Sequence, residues 1–179
     1  TREIIKRLGS EALELSMDNY YKGRAFVKGM ENDAVDVKPA IEIMGQETAD
    51  NWDQPQALDL ELFAKNLAEL KEGKSIEAPK YEMNGSYRSA ETITVDPRGK
   101  KAIVVEGLFA LDPKIVGSAD YKVYVGSNEA SDDVHGRLIR RLMRDPQRTG
   151  LGEMDIFKYW MEIVEPMHQN LHRDQVNDE

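Results

Sequence analysis

Two acids stand directly behind short apolar runs: Asp18 follows Ala12-Leu13-Glu14-Leu15, and Glu106 follows Ala102-Ile103-Val104-Val105. In an open parallel sheet, ligands gather beyond the carboxyl ends of the strands. Two carboxylates placed there suit a hard cation such as Mg2+, or one of them takes the proton of a hydroxyl group. The plainer alternative is that a buried strand ends on a polar residue, or that the acid caps the next helix. Gly107 beside Glu106 favours the ligand, because a residue without a Cβ lets it approach the backbone closely. A second concentration is arginine: Arg137, Arg140, Arg141, Arg144 and Arg148. Arg137, Arg141 and Arg144, at i, i+4 and i+7, share one helix face with Leu138, Ile139, Leu142 and Met143 opposite, and Arg148 opens the glycine-bearing loop Arg148-Thr149-Gly150-Leu151-Gly152. Like charges at this spacing repel by roughly a few tenths of a kcal/mol per pair, so their clustering points to an anion that relieves them. Planar guanidinium groups match phosphate oxygens. The alternative is a solvated face paired with Asp132, Asp133 and Asp145. The third feature is Asn51-Trp52-Asp53-Gln54-Pro55, where Asp53 either caps the helix that follows or binds a ligand.

Composition narrows the chemistry. The chain has 179 residues, 24 Lys+Arg against 33 Asp+Glu, a net charge of −9 and no cysteine. Disulfides, thiolate metal clusters and a cysteine nucleophile are excluded. With 40% hydrophobic residues the chain can bury a core, and its longest aliphatic run, Ala102 to Val105, is far short of the ~20 residues of a membrane span. The acidic balance and the lack of aromatic interleaving argue against a nucleic-acid binder. No signal-peptide pattern opens the chain, and a cytoplasmic address is expected. His135, His168 and His172 read as surface residues, Trp52 and Trp160 as core or pocket wall, and no Ser-His-Asp arrangement is visible.

The elements that would carry these residues follow from periodicity. Thr1 to Gly9 reads as a helix, so the chain is expected to have lost whatever preceded it. Ala12–Leu15 reads as a strand, and 24–52 as a long connection. Pro55 to Lys71 reads as an amphipathic helix closed by Gly73. Ser75–Glu82 and Thr92–Val95 are strands bracketing a turn at Asn84–Tyr87. Asp96–Gly99 is a turn, Lys101–Glu106 a strand buried on both faces, and Tyr121–Val125 another strand. Val134–Arg144 reads as a helix stopped by Pro146, and Ile156–Leu171 as one interrupted or re-started at Pro166. Helices alternating with apolar strands predict an α/β fold with a mostly parallel sheet.

The order of the motifs is more specific than any one of them. Ser16-Met-Asp18-Asn-Tyr-Tyr21, Asn51-Trp-Asp53-Gln-Pro-Gln-Ala-Leu-Asp59, Leu70-Lys-Glu-Gly-Lys-Ser75, Pro79-Lys-Tyr81, Arg88-Ser-Ala-Glu91-Thr92, Val104-Val-Glu106-Gly-Leu-Phe-Ala110 and Arg137-Leu-Ile-Arg-Arg-Leu-Met-Arg144-Asp145 follow in register. The chain resembles the uridine kinase family, within the group that includes phosphoribulokinase, from about Thr1 to Pro166. The resemblance implies a single nucleoside-kinase-like domain over 1–179: a P-loop NTPase-like parallel sheet flanked by helices, with a small β-hairpin substrate subdomain and an arginine-rich lid. It implies ATP and Mg2+, phosphoryl transfer to the 5′-hydroxyl of uridine or cytidine, and a homo-oligomer. Asp18 takes the place of the acid at the acceptor hydroxyl and metal, and Glu106 that of the acid ending the Walker-B-like strand. Asp53 matches the carboxylate that grips ribose hydroxyls, Tyr81 a pocket aromatic and Arg141 a substrate-side arginine. Arg144, with Arg137 or Arg148, belongs to the lid over the phosphates. Three positions depart from the pattern. The cradle G-x-x-x-x-G-K-[ST] is expected just ahead of Thr1 and is absent from the 179 residues. Ser86 stands where the family has a pocket histidine, and Tyr159 stands at the place of a substrate-side glutamine. A kinase for another hydroxyl-bearing metabolite and a non-catalytic nucleotide-binding domain are the alternatives.

Overall fold

The computed structural model describes residues 1–23, 52–53, 55–83, 87–117, 119–125 and 134–169. These form two compact units: one from the described residues of 1–34, 58–82 and 86–119, the other from those of 35–57, 83–85 and 120–179. The expected connection over 24–52 falls outside the described residues except at Trp52, as do Ser86, Asp132, Asp133 and His172.

The first unit opens with α1 (Arg2–Leu8), closed as expected by Gly9 at φ 59°. The chain then enters β1 (Ala12–Ser16). Its partner is β4 (Ala102–Glu106), and the pairing is parallel, with Ala12 opposite Ala102 and Ser16 opposite Glu106. The apolar run of β4 was expected to be covered on both faces, yet every residue in it is half-buried. Among the described residues its only ladder partner is β1.

Between these strands in sequence lies α2 (Leu60–Lys71). It starts five residues later than the spacing predicts, because Pro55–Ala57 forms a 3-10 turn and Leu58 bridges antiparallel to Tyr21. The cap is Asp59, whose Oδ1 accepts the Leu62 N–H at 3.2 Å. Capping by Asp53 is thereby overturned. Leu60, Phe63, Leu67 and Leu70 are buried at three- and four-residue steps, and Gly73, at φ 82°, ends the helix with its N–H on the Leu70 carbonyl. They pack with Leu15, Met17, Tyr20 and Phe109 in one core, where the Tyr20 ring meets Phe63 edge-on at 4.8 Å.

A hairpin of β2 (Ile76–Glu82) and β3 (Tyr87–Val95) follows. The register slips between Pro79 and Tyr81, where proline has no N–H to give the ladder. β3 begins at Tyr87, five residues ahead of the expected start. The unit also holds the short α3 (Pro113–Val116).

The second unit is helical. α4 (Val134–Thr149) runs through Pro146 instead of stopping there. The proline costs one backbone bond, but Thr149 Oγ1 donates to the Asp145 carbonyl at 2.8 Å and Gly150 N–H to the Pro146 carbonyl at 3.0 Å, which hold the last turn. α5 (Glu153–Tyr159) starts three residues before the expected Ile156 and continues through a π-helical turn, Trp160–Val164, into α6 (Glu165–Met167). The widened turn directly precedes Pro166 and lets the helix pass it. Ile156, Trp160 and Ile163 are buried. Tyr121–Val125, read as a strand, pairs with nothing among the described residues, and Tyr121 is 92% exposed. Its apolar alternation needs a neighbouring strand to become a ladder.

Candidate active site

In the first unit the ladder decides where the acids stand. Ser16, the last residue of β1, lies opposite Glu106, the last of β4. Asp18 is two residues further on, in the 3-10 turn Met17–Tyr20. Both carboxylates therefore leave neighbouring parallel strands at the same, carboxyl, end. Ser16 Oγ accepts the Asp18 N–H at 3.3 Å, which shapes the start of the turn. Gly107 sits at φ 153°, and a Cβ there would run into the Met17 side chain. The close approach that glycine permits is thus between the two acid-bearing loops. Tyr81, on β2, donates its N–H to Asn19 Oδ1 at 3.4 Å and stacks its ring 5.4 Å from Tyr21 at a 44° tilt. Among the described residues no group of three or more candidate ligands forms a metal cage. A pair of carboxylates is what Mg2+ uses when substrate phosphates supply its remaining oxygens.

In the second unit Arg137 and Arg141, on the arginine face of α4, point inward. Arg137 Nη2 bonds Glu165 Oε2 at 3.0 Å, with both side chains largely buried, and its guanidinium lies 5.3 Å from the Trp160 ring centre. Arg141 reaches Asp145 at 3.3 Å and Asp53 at 3.9 Å, and lies 5.8 Å from the same indole. Arg144, half-exposed, bonds Asp145 Oδ1 at 2.6 Å. Arg148 is exposed near the helix end. Conversely Ile139 and Met143, on the opposite face, are exposed. The physical reason is that Trp160 and three carboxylates offer the guanidiniums a better interior than solvent does.

Asp53 is buried, and burial pushes its carboxyl above the ordinary value; Asp145 pushes the same way, while Arg141 and the half-buried His168 pull it down. His168 is therefore no plain surface histidine. Next to Asp53, the Trp52 N–H donates to Tyr159 Oη at 3.2 Å. The sequence-derived residues thus fall into two clusters, Asp18, Glu106 and Tyr81 in one unit and Asp53, Arg141, Arg137, Arg144 and Tyr159 in the other.

Sequence reasoning named Asp145 only as a solvent-face partner and missed Glu165, Asp59 and the role of Trp160. Asp59 was recoverable from its place three residues before Leu62. Glu165 carries no local signal, since its arginine lies 28 residues away.

The Phosphoribulokinase / Uridine kinase family matches residues 11–178. The chain belongs to that family. A uridine kinase of Staphylococcus haemolyticus is 34% identical over 170 residues, covering 94% of this chain and 72% of that protein. A uridine kinase of Staphylococcus aureus is 33% identical over the same shares. The solved structure of the YGR205w protein superposes with a TM-score of 0.58 at 13% identity, covering 99% of this chain and 73% of that one, a likeness of fold. Family membership makes this chain an ATP-dependent kinase that phosphorylates a hydroxyl. Among the described residues no helix is long and apolar enough to cross a membrane.

Proposed function

We propose that the acceptor is a pyrimidine ribonucleoside, phosphorylated at its 5′-hydroxyl. The observation that carries the phosphoryl-transfer part of the reading is the β1–β4 ladder, which sets Asp18 and Glu106 at one end of two adjacent strands. The choice of a pyrimidine ribonucleoside rests on the likeness to the uridine kinases. Asp18 accepts the proton of the attacking hydroxyl as its oxygen bonds the terminal phosphorus of ATP and the bond to the ADP oxygen breaks. Glu106 and Asp18 would hold Mg2+, which supplies charge neutralisation. Asp53 and Arg141 offer an acceptor and a donor side by side, a set suited to ribose hydroxyls. Arg137 is engaged by Glu165 and Trp160, so the more exposed Arg144 and Arg148 are the arginines for phosphate.

Turnover on uridine, cytidine and a panel of sugars tests the acceptor, and no rate on either nucleoside rejects it. Asp18→Asn in the full-length enzyme lowers kcat by at least about a hundredfold while the circular dichroism is unchanged. A near-normal rate would remove Asp18 from the role. One observation favours a second reading, a kinase for another hydroxyl-bearing metabolite: the Tyr159 phenol accepts from the protein's own Trp52 N–H. Higher turnover on a sugar than on either nucleoside would select it.

A further inference from the structure

Arg88 belongs to a motif that the proposed chemistry leaves unused, and its surroundings are built around it. It lies on β3 with its side chain 9% exposed. Its guanidinium makes three separate bonds: Nη2 to the Tyr20 carbonyl at 2.7 Å, Nε to the Tyr21 carbonyl at 3.1 Å, and Nη1 to Asp59 Oδ2 at 3.2 Å. Tyr20 is the last residue of the four-residue turn that holds Asp18. Asp59 Oδ1 is already committed to the cap of α2. One side chain thus ties the hairpin, the far end of the Asp18 turn and the head of α2 together. The near end of the turn is held by the ladder to Glu106. From within, Tyr20 is fully buried and its hydroxyl accepts from Asn66 Nδ2 at 2.9 Å.

We propose that Arg88 is a positioning residue for Asp18: it fixes the Met17–Tyr20 turn so that the carboxylate meets the acceptor hydroxyl in one orientation. The idea rests on Asp18 being the acid of the reaction. A fork of five N–H donors in a plane is needed to reach two carbonyls and a carboxylate at once; a lysine ammonium is a point charge and keeps only part of the set. Small displacement of a reacting group is costly even when the fold survives.

The experiment is a double-mutant cycle in the full-length enzyme. Arg88→Lys is expected to lower kcat on the order of tenfold to a hundredfold, with the KM of ATP and of the acceptor changed by less than about twofold. On the Asp18→Asn background the same substitution is expected to lower the residual rate by less than about twofold, since an effect exerted through Asp18 vanishes with it. An unchanged kcat in Arg88→Lys, or an equal loss on both backgrounds, overturns the proposal. A near-normal Asp18→Asn would instead overturn the reading of the acid, so the two failures are distinct. Should Arg88→Lys not fold, Asp59→Asn carries the same test. Its amide oxygen keeps the α2 cap while the charge facing Arg88 is lost, and its kcat loss must likewise disappear on the Asp18→Asn background.

Discussion

At the scale of single residues, burial and partners decide what a carboxylate or guanidinium does. Asp53 is 8% exposed, and burial raises its pKa against the pull of Arg141. To accept hydrogen bonds from hydroxyls on both oxygens it must be ionised. Its protonation therefore sets in at a higher pH than for an ordinary carboxylate, and the acceptor KM is expected to rise on the acid side, beginning above the ordinary value. Asp53→Asn should weaken acceptor binding and flatten that pH dependence. The stability consequence has the opposite sense from a salt-bridged acid. The folded state holds this proton more tightly than the unfolded one, so Asp53's contribution falls as pH rises from the ordinary value through the raised one. Chemical denaturation across pH, with and without Asp53→Asn, measures the slope. Arg144 differs because it is half-exposed beside Asp145. Arg144→Gln should raise the KM for ATP several-fold and make it less sensitive to salt. An unchanged ATP response would leave Arg144 as a solvated ion pair.

Elements were legible where one face meets a core and illegible where a partner decides. α2 could be read from its three- and four-residue steps, and β1 and β4 from their short apolar runs, because burial selects those patterns directly. Phe63→Ala is expected to cost about 3–5 kcal/mol in a denaturant titration, since Phe63 is fully buried at the centre of that face. Gly107→Ala should destabilise the first unit by about 1–3 kcal/mol, as it sets a Cβ against Met17 at a positive φ. The helix start was misplaced because Asp53 and Asp59 are both plausible caps, and the chain's turn at Pro55–Ala57 leaves only Asp59 in position. Only Pro146 misleads: a proline removes one bond, and there the next turn is held by other means. Pro166 does mark a break, the helix passing through a π-helical turn and starting again with the proline in its first turn.

At the scale of the whole molecule, ligand binding and folding are linked. A nucleoside or ATP that binds only the folded chain at a hundred times its Kd should add about 2.7 kcal/mol of stability. A thermal-shift series with uridine, cytidine, ATP and sugars therefore ranks acceptors before any rate is measured, and a shift with sugars but none with nucleosides would reverse the proposed preference. The net charge of −9 gives no general attraction for a triphosphate, so recognition must be local, through arginines held by specific carboxylates.

The amino-acid order by itself determined the α/β class with parallel strands, the hairpin and the family, because these depend on periodicity and on motifs a few residues long. The pairing of the two apolar strands with each other came from the structure. The order of residues also singled out Asp18 and Glu106, since an acid after a short apolar strand is a local pattern. Only the tertiary structure decided that Arg137 and Arg141 turn inward onto Trp160, with Arg137 on Glu165, that Asp53 is a desolvated partner of Arg141, and that Arg88 grips the Asp18 turn. Those outcomes rest on contacts between residues tens of positions apart, and neither side of such a contact carries a mark of the other in its own neighbourhood.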